Sequence, residues 1–182
     1  NLKVDNLGVI VPFYNEKNTL SESIERLLAQ HIFSEIILSD DNSNDGSDII
    51  AKQYEDKNEN IKYIKSSTNK GKGNALNNAK NHITTKFVVI HDADLEYFPE
   101  DLVEMFEKAK LNPQSLIIGS RFIGNKERVN IYRRTFIANK VMSLFFSFVH
   151  FCKISDIATC YKMLRTDTFK EIQLYENGFS IE

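Results

Sequence analysis

Short apolar runs that stop abruptly at acid- or amide-rich turns recur along this chain, and between them apolar residues return at helical spacing. The first run is Gly8-Val9-Ile10-Val11-Pro12-Phe13, closed by proline and then by Asn15-Glu16. A second, Ile36-Ile37-Leu38, leads to Asp40-Asp41, and a third, Val88-Val89-Ile90, leads to His91-Asp92-Ala93-Asp94. None alternates strictly between apolar and polar residues, so each reads as a strand covered on both faces, as parallel strands are. Leu20, Ile24, Leu27 and Leu28 make one helical stripe between the first two runs. Ile61-Lys62-Tyr63-Ile64 and Ser115-Leu116-Ile117-Ile118-Gly119 predict further strands. Helices are expected after Gly46-Ser47, from Asn69-Lys70-Gly71-Lys72-Gly73, after Pro99 with Leu102, Val103, Phe106 and Ala109 buried, and near residues 167–172. This alternation predicts an α/β fold with a doubly wound, mostly parallel sheet. Ligands of such sheets bind beyond the carboxyl ends of the strands, which would bring residues 12–16, Asp40, Asp41, residues 92–94 and residues 119–121 to one crevice.

The third run has the most telling end, because it delivers Asp92 and Asp94 one residue apart. In extended backbone, side chains at i and i+2 point the same way, so both carboxylates can face one cleft while Ala93 turns away. Their repulsion is relieved by a hard divalent cation such as Mg²⁺ or Mn²⁺, and so few protein ligands leave coordination positions open for phosphate oxygens. The competing reading is a loop in which the first aspartate caps the next helix. Two glycines and two lysines in residues 69–73 lie at or before a helix start, which favours a nearby anion. They are not the dinucleotide-binding fingerprint, since G-x-G-x-x-G is absent and the glycines do not follow the first strand.

At 182 residues the chain suits one domain, and its formal net charge of −2 gives no general reason to expect nucleic-acid binding. Cys152 and Cys160 fit no metal-ligand or redox spacing, and unpaired thiols point to a reducing, cytoplasmic setting. The start is not that of a signal peptide, and no uncharged apolar run reaches the roughly 18–20 residues that span a bilayer. The ending Phe179-Ser180-Ile181-Glu182, apolar and without a stop signal, leads us to expect that the native chain continues. Segment 121–140 carries Arg121, Lys126, Arg128, Arg133, Arg134 and Lys140 against the single acid Glu127, and an aromatic-rich run, 141–152, comes directly after it. Two readings fit that run: a buried amphipathic helix, or a contact with a membrane surface or lipid chain.

Taken together, Val11-Pro12-Phe13-Tyr14-Asn15-Glu16, Asp40-Asp41-Asn42-Ser43-Asn44-Asp45-Gly46, Asn69-Lys70-Gly71-Lys72-Gly73, Asp92-Ala93-Asp94-Leu95-Glu96, Gly119-Ser120-Arg121-Phe122 and Asp156-Ile157-Ala158-Thr159-Cys160-Tyr161-Lys162 resemble the family-2 glycosyltransferases. The subgroup most resembled is the polyprenol-phosphate (dolichol-phosphate) mannosyl- and glucosyltransferases. The resemblance implies a nucleotide-sugar-binding fold of the A type, a divalent cation (Mg²⁺ or Mn²⁺), inversion at the anomeric carbon, and often a polyprenyl phosphate acceptor. Carried over by position, Pro12, Tyr14, Glu16 and Asp41 would hold the nucleoside, and Lys70 would line the nucleotide pocket. Asp92, Ala93 and Asp94 would form the metal and diphosphate site. A glutamine often stands where this chain has Glu96, so Glu96 either adds a third carboxylate to the metal shell or marks another branch. Arg121 and Arg134 match arginines that pair with phosphate, as a guanidinium fork can do bidentately. Ala138 stands where the family often has serine, which weakens the choice of Arg134 over Arg133. Asp156 matches the acceptor-side acid, and with Asp94 and Arg121 it completes the expected catalytic set.

A phosphomonoester acceptor, with its second pKa near ~6, is largely anionic at neutral pH and needs no base, whereas a sugar hydroxyl does. Three functions therefore stand: transfer to a polyprenyl phosphate at the cytoplasmic face of a membrane, transfer to a sugar hydroxyl in cell-surface polysaccharide synthesis, and nucleotide-sugar binding without turnover. A sugar-phosphate nucleotidyltransferase would carry a glycine-rich basic loop after the first strand, and residues 12–16 are not that. The basic and aromatic character of segment 121–151 predicts partial, salt-sensitive co-sedimentation with anionic liposomes. Equal recovery with neutral vesicles and in high salt would exclude an electrostatic contribution.

Overall fold

The structure, a computed structural model, describes residues 6–119 and 161–172. Their strands form one sheet in the order β3-β2-β1-β4-β6-β5. These are β1 (Leu7–Phe13), β2 (Phe33–Asp40), β3 (Ile61–Lys65), β4 (Phe87–Ile90), β5 (Ile117–Ile118) and β6 (Lys162–Arg165). The helices are α1 (Leu20–Leu28), α2 (Ser47–Lys57), α3 (Lys72–Lys80), α4 (Asp101–Leu111) and α5 (Thr166–Glu171). β1 pairs parallel with β2 on one side and with β4 on the other, and β2 pairs parallel with β3. The chain thus walks outward from β1 to β3 and returns to lay β4 against the free edge of β1. Crossovers of the usual right hand would put the outward helices and the returning one on opposite faces of the sheet.

Burial explains why the first strands read as unbroken apolar runs. All of β1 and β4 is buried, and in β2 Ile36, Ile37 and Leu38 are. Each such Ile or Leu contributes roughly 1.5–3 kcal/mol over an exposed position. α1 buries Leu20, Ile24 and Leu27 against the sheet while Arg26 pairs with Glu22 on the solvent side. α4 carries Asp101 and Glu104 in its first turn and Lys108 and Lys110 in its last, an arrangement that suits the helix dipole.

Some details depart from the sequence reading. β4 ends at Ile90, so Asp92 and Asp94 lie beyond the strand, Asp94 in a turn. In α4 the buried stripe is Leu102, Met105 and Ala109, while Val103, expected inside, is 40% exposed. The expected strand over residues 115–119 shrinks to Ile117–Ile118. β6 enters between β4 and β5 and runs antiparallel to both, so β5 sits at the sheet edge with one short pairing partner. The segment 121–151, Arg121, Arg133, Arg134, Ala138, Cys152, Asp156, Cys160 and Glu182 lie outside the described residues.

Gly8 shows how tightly β1 is packed. A Cβ there would come within 2.4 Å of both Ile83 Cδ1 and Thr85 Oγ1. Both neighbours are themselves buried, and the Thr85 hydroxyl is committed to the Phe87 carbonyl at 3.0 Å. Gly8→Ala should therefore destabilise the protein by about 1–3 kcal/mol, the usual cost of overpacking. A lowered urea midpoint with an unchanged slope would show it, whereas an unshifted midpoint would mean that Ile83 and Thr85 can yield.

Candidate functional site

A cleft of about 360 Å³ opens at the carboxyl ends of β1, β2 and β4, where the chain direction across the sheet reverses. Pro12, Phe13, Tyr14 and Glu16 line it from β1, Asp41 from β2, Asn69, Gly71, Lys72 and Ala75 from the entry to α3, and Asp92, Ala93 and Asp94 from beyond β4. Its size is that of small-ligand pockets. Backbone bonds from Asp41 to the Phe13 carbonyl (2.9 Å), Ser66 to Asp40 (2.8 Å) and His91 to Ile10 (2.9 Å) extend the ladder past the strands and hold these turns in register.

The turns after β1 and β2 are stitched together by their own side chains. Asn15 donates its backbone N–H to Ser43 Oγ at 2.9 Å and accepts from the Asn44 N–H at 3.0 Å. Lys17 donates its N–H to Asp45 at 3.0 Å. Asn15 and Asn42 adopt positive φ, 56° and 71°, which asparagine tolerates better than most residues. Asp40, fully buried, accepts the Ser43 N–H at 2.7 Å and the Tyr63 hydroxyl at 2.9 Å. Much of the acid- and amide-rich stretch 40–46 therefore serves as internal fastening. Tyr14, 42% exposed, is the large ring that this fastening leaves open to the cleft.

Asp41 is 2% exposed and already engaged. One oxygen accepts the backbone N–H groups of Lys70 (3.0 Å) and Gly71, and the other accepts from Asn74 Nδ2 at 3.0 Å. It holds the turn before α3, where Gly71 has φ 94° and ψ 175°, a region open essentially to glycine alone. Lys70 enters this arrangement through its backbone, and its side chain is exposed outside the cleft. The lysine that lines the cleft is Lys72, whose Nζ lies 2.8 Å from Asp92 Oδ1 and 2.9 Å from Oδ2. The anion expected beside this helix start is thus supplied twice by the protein itself, as Asp41 and as Asp92.

Asp94 accepts the Glu96 N–H at 3.1 Å across Leu95, which takes a positive φ of 63°. A left-handed leucine is uncommon, and the local bond to Asp94 helps hold it there. Desolvation in the cleft wall, reinforced by the charges of Asp92, Glu96 and Glu16, pushes the Asp94 carboxyl up to about 6. Lys72 neutralises Asp92, and the negative charge that remains around Asp94 suits a small divalent cation. Glu96 is exposed and does not line the cleft, and among the described residues no three His, Cys, Asp or Glu side chains gather closely enough to hold a metal. A cation at Asp92 and Asp94 would complete its shell with oxygens from elsewhere, as Mg²⁺ and Mn²⁺ sites on phosphate ligands do.

His91, unassigned from sequence, packs directly behind Asp92. Its Nε2 lies 3.0 Å from Ser23 Oγ and its Nδ1 3.0 Å from the Tyr161 hydroxyl, and burial pushes its pKa down to about 4. The neutral ring ties α1 to the start of β6. No sequence signal marks it, because both partners lie about seventy positions away.

Comparison with known proteins places the fold and the family. The chain is 28% identical over 179 residues to a dolichol-phosphate mannosyltransferase of Pyrococcus furiosus, an alignment covering 96% of this chain and 50% of that protein. The chain thus spans about half the length of this curated relative. Among solved structures it resembles a mannosyltransferase from Pyrobaculum calidifontis in complex with GDP-Man and Mn²⁺, with a TM-score of 0.55, 26% identity, and coverage of 61% of this chain and 34% of that one. Residues 1–349 of TarS from S. aureus, solved with UDP-GlcNAc, match with a TM-score of 0.63 at 22% identity over 91% of this chain and 47% of the other, a likeness of fold. The fold is that of the A-type glycosyltransferases. The family described as Glycosyl transferase family 2 matches residues 8–173, nearly the whole chain, and to that family the chain belongs.

Proposed function

We propose that this chain is a single catalytic domain that moves a sugar, with inversion, from a UDP- or GDP-linked donor to a polyprenyl phosphate, assisted by Mg²⁺ or Mn²⁺. The observation that carries the reading is the convergence of Asp92, Asp94 and Lys72 in a cleft at the sheet's switch point, with Tyr14 open on its wall. The GDP-Man and Mn²⁺ bound by one structural neighbour and the dolichol-phosphate named for one relative support the donor, metal and acceptor classes.

In this reading Tyr14 offers its ring face to the base, and Pro12, Glu16 and Asn69 shape the nucleoside end. Asp41 acts chiefly through the turn it clamps, since its carboxylate is already used by Lys70, Gly71 and Asn74. Ala93, 3% exposed, gives the diphosphate a wall without bulk. Asp92 and Asp94 would hold the metal, which supplies Lewis-acid stabilisation of the departing diphosphate. Arg121 and Arg134 are proposed as further phosphate partners and Asp156 as the acceptor-side acid, all on the strength of the family resemblance. A surface near a membrane suits a lipid acceptor, and among the described residues no helix is long and apolar enough to cross one.

Donor binding should accordingly require both metal and the charged form of Asp94. Calorimetry with UDP, GDP and their sugars should show strong weakening in chelator. Asp94→Asn should reproduce it, by no less than the roughly 10–100-fold typical of losing a group that merely supports a metal ligand. Because a proton and a cation compete for a carboxyl with a pKa of about 6, wild-type affinity in Mn²⁺ should fall as pH drops from 7 to 5. Equal affinity in chelator and in Mn²⁺ would eliminate the bridging-metal reading.

Asp156 distinguishes the acceptors. Asp156→Asn should leave donor affinity nearly intact while reducing transfer. A loss of roughly 10²–10⁴-fold that also removes a pH dependence would identify a hydroxyl acceptor served by a general base. A pH-independent loss would fit orientation of a lipid phosphate, and unchanged turnover would remove Asp156 from the site.

A further inference from the structure

Among the described residues lining the cleft, Lys72 is the one cation, and both oxygens of Asp92 lie within 2.9 Å of its ammonium. The pair is mostly shielded, with side chains 15% and 21% exposed. Lys72 is the first residue of α3, fixed by the left-handed turn at Gly71 that Asp41 clamps. It is therefore presented to Asp92 by the fold and not by chance rotation of a surface side chain. An ammonium within reach of both oxygens occupies the bidentate face of the carboxylate, and a divalent ion arriving there would also meet the positive charge of Lys72.

We propose that Lys72 is an internal counter-ion that closes Asp92 in the nucleotide-free protein and passes to the donor's diphosphate when a divalent cation takes Asp92. The proposal rests on the reading of the cleft as a nucleotide-sugar site and adds an order of events to it. The diphosphate supplies negative charge for Lys72 and for the metal at once, so neither has to give up its partner uncompensated. Metal alone binds weakly, nucleotide and metal together bind well, and each strengthens the other by the same factor. The device spares the empty protein a bound metal while keeping the carboxylates close enough to receive one.

The test is Mn²⁺ binding followed by the electron paramagnetic resonance of the free ion, in wild-type protein and in Lys72→Met, first without nucleotide and then with UDP or GDP. Without nucleotide, Lys72→Met should bind Mn²⁺ roughly tenfold more tightly or better, as expected on removing a unit positive charge a few ångströms from a cation site. The gain in Mn²⁺ affinity produced by nucleotide should shrink in the variant. Lys72→Arg, which keeps the charge, should remain close to wild type, and Lys72→Gln provides a second uncharged variant if the methionine does not fold. Nucleotide-free Mn²⁺ affinity in folded Lys72→Met or Lys72→Gln that is no higher than wild type, absence of binding in all included, overturns the proposal. Failure of wild type to bind UDP or GDP in Mn²⁺ would instead overturn the donor reading, and the nucleotide-free comparison would still decide the part played by Lys72.

Discussion

Carboxylates converge where β1 separates β2 from β4, and the need to accommodate their charge shapes everything around the cleft. Asp40 is satisfied by a backbone amide and a phenol, Asp41 by two amides and an asparagine, Asp92 by Lys72. Asp94 has a raised pKa, since its one backbone hydrogen bond does not offset desolvation and three neighbouring carboxylates. The fold thus resolves most of the repulsion internally and leaves it concentrated at one point. That concentration of negative charge is of the kind a divalent cation would relieve.

The succession of strands and helices and the position of the crevice were largely legible in the sequence because both come from local patterns. Unbroken apolar runs mark strands buried on both faces, and the residues just after each run must emerge at the sheet's carboxyl edge. Asp92 and Asp94 reach the cleft even though β4 stops two residues before the first of them, because a turn beyond a buried strand opens to the same side. Contacts between distant segments were not legible. Nothing local says that Lys72, and not Lys70, enters the cleft, since the choice is made by the positive φ of Gly71 and by a carboxylate thirty positions earlier. The antiparallel insertion of β6 beside β4 was equally hidden, as it joins residues more than seventy positions apart.

The same distinction applies to roles. Asp41 stood out by composition and position, yet its carboxylate is directed at the backbone of the neighbouring turn. A residue type that suits a ligand's hydrogen bonds suits the protein's own equally well, and only geometry tells the two apart. His91 is the converse case: an inconspicuous residue at the end of an apolar run that proves to link α1 and Tyr161 across the end of β4 through a neutral ring.

The stitching between the turns after β1 and β2 has a thermodynamic consequence for whatever enters the cleft. The side chains of Asn15, Ser43 and Asp45 surrender rotamer freedom to backbone N–H groups of the opposite turn when the chain folds. That entropy is lost once, during folding, and is not charged again to association. A ligand docking on this wall meets a surface with little left to order, so more of its contact energy is retained as affinity.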